Sequence, residues 1–121
     1  MWFLTDPDNA QCCKRWDENP NIFSFVEVRQ MGDRYAVVQA TIDLECYTAL
    51  DQEEECAAYY DSLYEIINEY GWFNAAQIIA ECIFENTPTS DMSVLSCWPT
   101  ESEAYAQTEK IIRANDATKR L

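Results

Sequence analysis

The stretch DQEEECAAYYDSLYEIINEYG, residues Asp51–Gly71, predicts an amphipathic helix. At 3.6 residues per turn, its apolar side chains fall on one stripe. The stripe consists of Cys56, Tyr59, Tyr60, Leu63, Ile66, Ile67 and Tyr70. Asp51 can cap the helix start with Glu54 answering three residues later, and Gly71 supplies the left-handed residue that closes a helix. We therefore expect a helix from Asp51 to Tyr70 whose apolar stripe packs on the rest of the protein.

The opposite side of this helix, which is named α1 throughout, is acidic, and we call it the α1 acidic face. Its members are Glu54, Asp61, Glu65 and Glu69. Like charges four residues apart repel by about 0.2–0.5 kcal/mol per pair, and the stretch contains no lysine or arginine to offset this repulsion. Either the protein tolerates this repulsion without using it, or the acidic face binds a basic surface.

Charge is distributed unevenly along the 121-residue chain, which has 22 acidic residues, 8 basic residues and no histidine, for a net charge of −14. The basic residues lie towards the two ends: Lys14, Arg15, Arg29, Arg34, Lys110, Arg113, Lys119 and Arg120. From Tyr35 to Glu109 there are 15 acidic residues and no basic one. Acidity that serves solubility alone is the simplest interpretation. Adaptation to high salt would act along the whole length and does not explain the gap.

The length and the 48% hydrophobic content predict one globular domain spanning residues 1–121, with residues 116–121 as a frayed tail. Six cysteines are present: Cys12, Cys13, Cys46, Cys56, Cys82 and Cys97. They form no C-x-x-C pair, and residues 1–10 do not resemble a secretion signal. We expect reduced cysteines, with Cys56 and Cys82 on apolar helix faces, in a cytoplasmic protein that does not enter membranes.

The N-terminal half predicts a short strand at Trp2–Thr5, closed by Asp6-Pro7, and a short helix over Asp8–Trp16. A hairpin follows, with strands Ile22–Gln30 and Tyr35–Leu44. Its register is predicted by gathering the apolar residues on one face. The predicted pairs are Val28 with Val38, Val26 with Ala40, and Ser24 with Ile42. This register requires a loop of three or five residues.

The C-terminal half predicts a second helix over Asn74–Glu85, with Asn74 and Gln77 as its capping box and Phe73 stapled against Ile78. This helix should be the most buried, with Ile79 and Ile83 in the core. A strand over Met92–Trp98 and a helix from Glu101 to about Asn115, capped by Thr100 and Glu103, complete the chain. The predicted class is α+β. About four strands form an antiparallel or mixed sheet in the order β-α-β-β-α-α-β-α, and helices cover mainly one face.

Catalytic and cofactor motifs are missing from the sequence. The two glycines are explained by the hairpin (Gly32) and the helix end (Gly71), which leaves none for a phosphate-binding loop. Without histidine there is no Ser-His or Cys-His nucleophile pair. Glu53-Glu54-Glu55 lacks the alternating spacing of a calcium loop. We expect no enzyme activity, no metal and no cofactor, and no direct nucleic-acid binding because phosphates would be repelled.

The remaining hypothesis is binding to a positively charged protein. Carboxylates spaced along a helix can occupy a groove built for a nucleic-acid backbone, so the chain is predicted to inhibit a nuclease or nucleic-acid-binding protein by mimicry. By analogy, anti-CRISPR and anti-restriction proteins and nuclease-immunity proteins act in this general way. The predicted partner-binding residues are Asp51, Glu54, Glu55, Asp61, Tyr64, Glu65 and Glu69. The alternative is an adaptor or structural subunit that binds through an apolar surface, with acidity serving solubility only.

Overall fold

The computed structural model describes residues 2–45 and 54–120, with the side chains of residues 2–45 and 65–113. The elements are β1 (Phe3–Asp6), β2 (Gln11–Arg15), β3 (Ile22–Met31), β4 (Arg34–Asp43), α1 (Glu54–Asn86), a 3-10 turn (Thr89–Asp91), β5 (Ser93–Trp98) and α2 (Glu101–Arg120). The five strands form one antiparallel sheet in the order β1-β2-β3-β4-β5. The predicted α+β class is confirmed, and the described sheet has five strands where about four were expected.

The helix predicted over Asp8–Trp16 is wrong, because this segment holds β2. Cys13 is paired with Phe3 of β1 on one side and with Phe25 of β3 on the other. Asp8 does not cap a helix; its backbone N–H donates to the Asp6 carboxylate at 3.0 Å in the turn between β1 and β2. Five residues are too few for periodicity to distinguish a strand from a helix, so pairing with two neighbouring strands decides the structure.

Helices cover both faces of the sheet, and the prediction of helices mainly on one face is wrong. On one face, the second half of α1 packs on β3 and β4 around the stacked rings of Phe25 and Phe84, whose centroids lie 4.7 Å apart. On the other face, Ala104 of α2 packs with Val26 and Val37. Every residue from 23 to 28 in β3 is buried as a result. The sheet is therefore the middle layer between two helices.

The predicted hairpin between β3 and β4 is confirmed, but its register is shifted by one residue. Val28 is paired with Val37, not with Val38, and the loop has two residues, Gly32 and Asp33. Gly32 has φ 64° and Asp33 does not have a positive φ, which fits a type II′ turn. The register was predicted by placing all apolar residues on one face of the sheet. This gave the wrong pairs, because a sheet that is covered on both faces has apolar residues on both.

The helix end predicted at Gly71 is confirmed as a break inside α1, where Gly71 has φ 77° and ψ 158°. Two helical segments meet there, and the second ends at Asn86 ahead of Pro88, as predicted. Asn74 is not the cap of the second segment, because the helix already resumes at Trp72; the Asn74 Nδ2 donates to the Tyr70 carbonyl oxygen at 3.1 Å. Phe73 and Ile78, which were predicted to form a staple, are both exposed.

The C-terminal elements largely follow the prediction. The predicted strand over Met92–Trp98 is β5, and the start of α2 is capped as expected, because the Thr100 hydroxyl accepts the Glu103 backbone N–H at 3.3 Å. The backbone of α2 is helical to Arg120, beyond the end expected at Asn115. Within residues 2–45 and 54–120, no helix combines the length and hydrophobicity needed to cross a membrane.

Candidate partner-binding surface

Two residues of the α1 acidic face are exposed to solvent in the structure. Glu65 and Glu69 lie one helical turn apart and are exposed, whereas the neighbouring Ile66 and Ile67 pack against the core. The amphipathic division predicted from the sequence therefore holds over residues 65–69. Both carboxylates are open to solvent.

The other predicted binding residues are only partly covered by the structure. Glu54, Glu55, Asp61 and Tyr64 lie on the α1 backbone, and their side chains are outside the described part of the chain. Asp51 lies outside the described residues altogether. Because α1 is helical from Glu54, position 61 shares a helical face with positions 65 and 69. The role of all these residues in binding stays a prediction.

Three exposed aromatic residues surround the break in α1, and we call them the Gly71 aromatic cluster: Tyr70, Trp72 and Phe73. Their side chains are 51%, 37% and 61% exposed. The non-helical conformation of Gly71 interrupts the regular helical periodicity, so Trp72 and Phe73 do not continue the stripe of the preceding helical segment. Tyr70 was expected on that stripe, and its exposure corrects the prediction.

Two contacts hold the Gly71 aromatic cluster against the turn between β2 and β3. The Trp72 indole Nε1 donates to the Asn21 side-chain oxygen at 3.0 Å. Arg15 Nη1 donates to the Phe73 carbonyl oxygen at 3.1 Å, while its Nε donates to the Pro20 carbonyl oxygen at 2.7 Å. The cluster is thus held on the protein surface by the side chains of Arg15 and Asn21, which lie near the N-terminus.

The Arg15 guanidinium also lies directly over one of the rings in the cluster. Its central carbon is 3.8 Å from the centroid of Phe73 and 5.0 Å from that of the buried Phe23. Both distances are within the range of cation–π attraction. Sequence reasoning missed this cluster as a binding candidate. The sequence feature that could have predicted it is the grouping of three aromatic residues around a glycine at the end of an acidic helix.

A second candidate site surrounds Glu27 and Arg29, which lie on the α1 side of β3. Arg29 Nε lies 2.7 Å from Glu27 Oε2, and both side chains are largely buried. Burial raises the pKa of the Glu27 carboxyl group. The hydrogen bond and the positive charge of Arg29 offset only part of this rise. An open cavity of about 370 Å³ borders the pair, lined by Asn9, Glu27, Val28, Arg29, Gln30 and Glu85.

The guanidinium of Arg29 is used by the fold. Its Nη1 donates to the Thr87 carbonyl oxygen at 2.7 Å, and its Nη2 donates to the Phe84 carbonyl oxygen at 3.1 Å. The Phe84 carbonyl lies in the last turn of α1, where it also accepts the Thr87 backbone N–H at 3.1 Å, and the Thr87 carbonyl lies just beyond the helix. Carbonyl oxygens at a helix end have no N–H donor four residues further on. Arg29 therefore caps α1, and Glu27 neutralises the buried charge. We assign the pair a structural role.

The four cysteines that the structure describes are free: Cys12, Cys13, Cys82 and Cys97. Cys12 and Cys13 point to opposite faces of the sheet, where burial raises the pKa of Cys12 to about 11 and that of Cys13 to about 12. Both are neutral thiols at physiological pH. Cys46 lies outside the described residues, as does the side chain of Cys56. In the described part of the chain, no three acidic or cysteine side chains converge on a potential metal site.

Comparison of the chain with protein-family models, curated proteins and solved structures finds no match.

Proposed function

We propose that the protein is a non-enzymatic inhibitor that binds the basic groove of a nuclease or another nucleic-acid-binding protein by nucleic-acid mimicry. One observation carries the proposal: from Tyr35 to Glu109 the chain has 15 acidic residues and no basic one. A surface built from this segment repels nucleic acid and attracts proteins that bind it. Anti-CRISPR, anti-restriction and nuclease-immunity proteins are the functional types that fit.

The geometry of α1 supports this proposal. Glu65 and Glu69 are exposed on a rigid element, and residues four apart on a helix lie about 5–6 Å from each other. This spacing is comparable to that of successive phosphates along a nucleic-acid strand. A helix with such a row of carboxylates can enter a groove that is lined with lysine and arginine for a phosphate backbone, and steering by charge makes association fast.

A second candidate function is that of an adaptor that binds its partner through an apolar surface. The exposure of the Gly71 aromatic cluster favours it, because aromatic residues dominate the energetics of many protein interfaces. Salt distinguishes the two functions. Charge-led binding weakens steeply as ionic strength rises, whereas apolar binding does not.

Charge reversal of the α1 acidic face tests the proposal. In the variant Asp61→Lys/Glu65→Lys/Glu69→Lys, we expect binding to a basic groove to collapse, mainly through slower association. Folding should be intact or slightly improved, since each relieved like-charge pair is worth about 0.2–0.5 kcal/mol. The measurement is surface plasmon resonance against purified CRISPR nucleases, restriction enzymes and nuclease toxins. Wild type should compete with DNA or RNA for the same site.

The matched control reverses three exposed acids elsewhere, in the variant Asp33→Lys/Asp91→Lys/Glu103→Lys. Both variants change the net charge equally, so the difference between them reports the location of the charge. The control should retain most of the binding. Equal binding by wild type and the α1 reversal at low salt, or a partner that holds nucleic acid and this protein together, contradicts mimicry.

A further inference from the structure

The Gly71 aromatic cluster is too concentrated to be ordinary surface exposure. Single exposed apolar residues are common on soluble proteins, but here three large rings lie within four consecutive residues. Trp and Tyr are among the residues that contribute most to binding energy at protein interfaces. The hydrogen bond of Trp72 to Asn21 and that of Arg15 to the Phe73 carbonyl hold the segment in place, so little conformational freedom remains to be lost on binding.

The cluster already accommodates a guanidinium. Arg15 lies with its central carbon 3.8 Å from the Phe73 centroid, and Phe73 is still 61% exposed. A guanidinium is planar and weakly hydrated, and it stacks on aromatic rings. A lysine ammonium is compact and strongly hydrated, and it loses more when it leaves water. The exposed ring surface therefore favours arginine over lysine.

Exposed acidic residues lie on the two segments that carry the cluster and its Asn21 contact. These acids are Asp17, Glu18, Glu65 and Glu69, and all are exposed. Glu69 adjoins Tyr70 in α1, and the turn that carries Asp17 and Glu18 is joined to Trp72 through Asn21. These four negative charges, together with the net charge of −14, attract a cationic side chain towards this part of the surface.

We propose that the Gly71 aromatic cluster binds arginine side chains of an arginine-rich protein segment, and that it makes the interaction selective for arginine over lysine. The inference rests on the proposed function, because it specifies the chemistry of the basic partner. The α1 acidic face contributes attraction to any cation. The rings contribute the preference between the two cationic side chains.

The test compares oligoarginine and oligolysine peptides of equal length and charge, with affinity measured by fluorescence anisotropy at low and physiological salt. Wild type should bind oligoarginine about fivefold or more tightly than oligolysine. In Tyr70→Leu/Trp72→Leu, which keeps apolar bulk but removes the rings, the ratio should fall to about one. Tyr70→Phe/Trp72→Phe keeps aromatic faces at both positions and should retain the preference.

The chain offers a closely matched control in Trp16. Its side chain is 38% exposed, against 37% for Trp72, and its indole Nε1 donates to Ser24 at 2.9 Å. Ser24 faces the α2 side of the sheet, so Trp16→Leu removes a comparable indole that packs towards the opposite face of the sheet. This variant should keep the arginine preference. Circular dichroism checks folding, and Tyr70→Leu alone is the second variant because half of the Tyr70 side chain is already exposed.

Equal affinity of wild type for the two peptides overturns the proposal, and so does an arginine preference that survives in the folded leucine variants. Failure of the proposed function has a different pattern. In that case nucleic acid does not compete for any binding partner, while the preference for oligoarginine and its loss in the leucine variants remain.

Discussion

At the scale of single residues, Arg29 joins the sheet to the end of α1. It contacts Glu27 in its own strand and the carbonyl oxygens of Phe84 and Thr87, and its guanidinium carbon lies 5.1 Å from the Phe84 ring centroid. Since this end of α1 carries no basic residue of its own, Arg29 supplies the positive charge that complements the helix dipole.

We therefore predict that Arg29→Met destabilises the protein at neutral pH by about 3 kcal/mol, because Glu27 is left buried and unpaired. Urea denaturation followed by circular dichroism measures this loss. The control is Arg113→Met, since Arg113 forms an exposed ion pair with Glu109 at 3.7 Å and should contribute less than about 1 kcal/mol. Equal effects of the two substitutions would contradict the structural role of Arg29.

The pH dependence of this loss follows from the raised pKa of Glu27. A carboxyl group whose pKa is higher in the folded state contributes stability below its ordinary pKa of 4.5, and that contribution is lost as pH rises through the folded pKa. Without Arg29 the pKa of Glu27 rises further, so the deficit of Arg29→Met should shrink as pH falls towards 4.5. The double variant Glu27→Gln/Arg29→Met should lose this pH dependence.

At the scale of elements, the two halves of α1 differ. After Gly71 the helix packs on the sheet with five buried residues: Ala75, Ala76, Ile79, Ala80 and Phe84. Before Gly71, the described side chains are mostly exposed, apart from Ile66 and Ile67. A glycine between the halves separates a core helix from a helix with an acidic outer face.

Three isoleucines in the second half of α1 test this arrangement. Ile79→Ala should cost about 2–5 kcal/mol, because the side chain is buried and its removal leaves a cavity. Ile83 was expected to cost as much, but it is only partly buried, so Ile83→Ala should cost less. The exposed Ile78 is the control, with an expected cost below about 1 kcal/mol. A different order of the three in urea denaturation would contradict the packing of this helix.

At the scale of the whole molecule, the high negative charge lowers the stability of the folded state. The net charge of −14 is carried by a chain whose ion pairs include Glu27 with Arg29 and Glu109 with Arg113. Most acidic side chains in residues 2–45 and 65–113 are exposed, so they keep their hydration. Their mutual repulsion lowers the stability of the folded state, and the same negative potential would attract the basic partner that we propose.

Salt should therefore have opposite effects on folding and on binding. Raising ionic strength from about 0.01 M to about 0.15 M shortens the Debye length from about 30 Å to about 8 Å. Stability should rise on the order of 1 kcal/mol, because self-repulsion is screened. Affinity for a basic groove should fall over the same range. Urea denaturation is suitable for the measurement, since urea adds no ions.

The α1 reversal provides the control for folding. Three reversals of two charges each bring the net charge from −14 to −8, so the stabilisation by salt should be smaller. If salt leaves the stability of wild type unchanged, the acidic side chains do not repel one another appreciably in the folded protein.

The sequence by itself was sufficient for features that depend on neighbouring residues. It predicted the β3–β4 hairpin, the interruption at Gly71, the end of α1 before Pro88 and the Thr100 cap of α2. Each rests on a local requirement, such as a positive φ, a missing N–H or a side-chain acceptor for a free backbone donor. The charge gap is likewise a property of the sequence alone.

Tertiary structure decided the features that depend on distant partners. β2 is a strand because β1 and β3 pair with it, and the hairpin register escapes the apolar pattern because α1 and α2 bury opposite faces of the sheet. The Gly71 aromatic cluster became visible only when Arg15 and Asn21, more than fifty residues away in sequence, were found beside it. Burial depends on how the elements pack against each other. No local sequence pattern therefore specifies which face of a strand or which aromatic ring becomes buried.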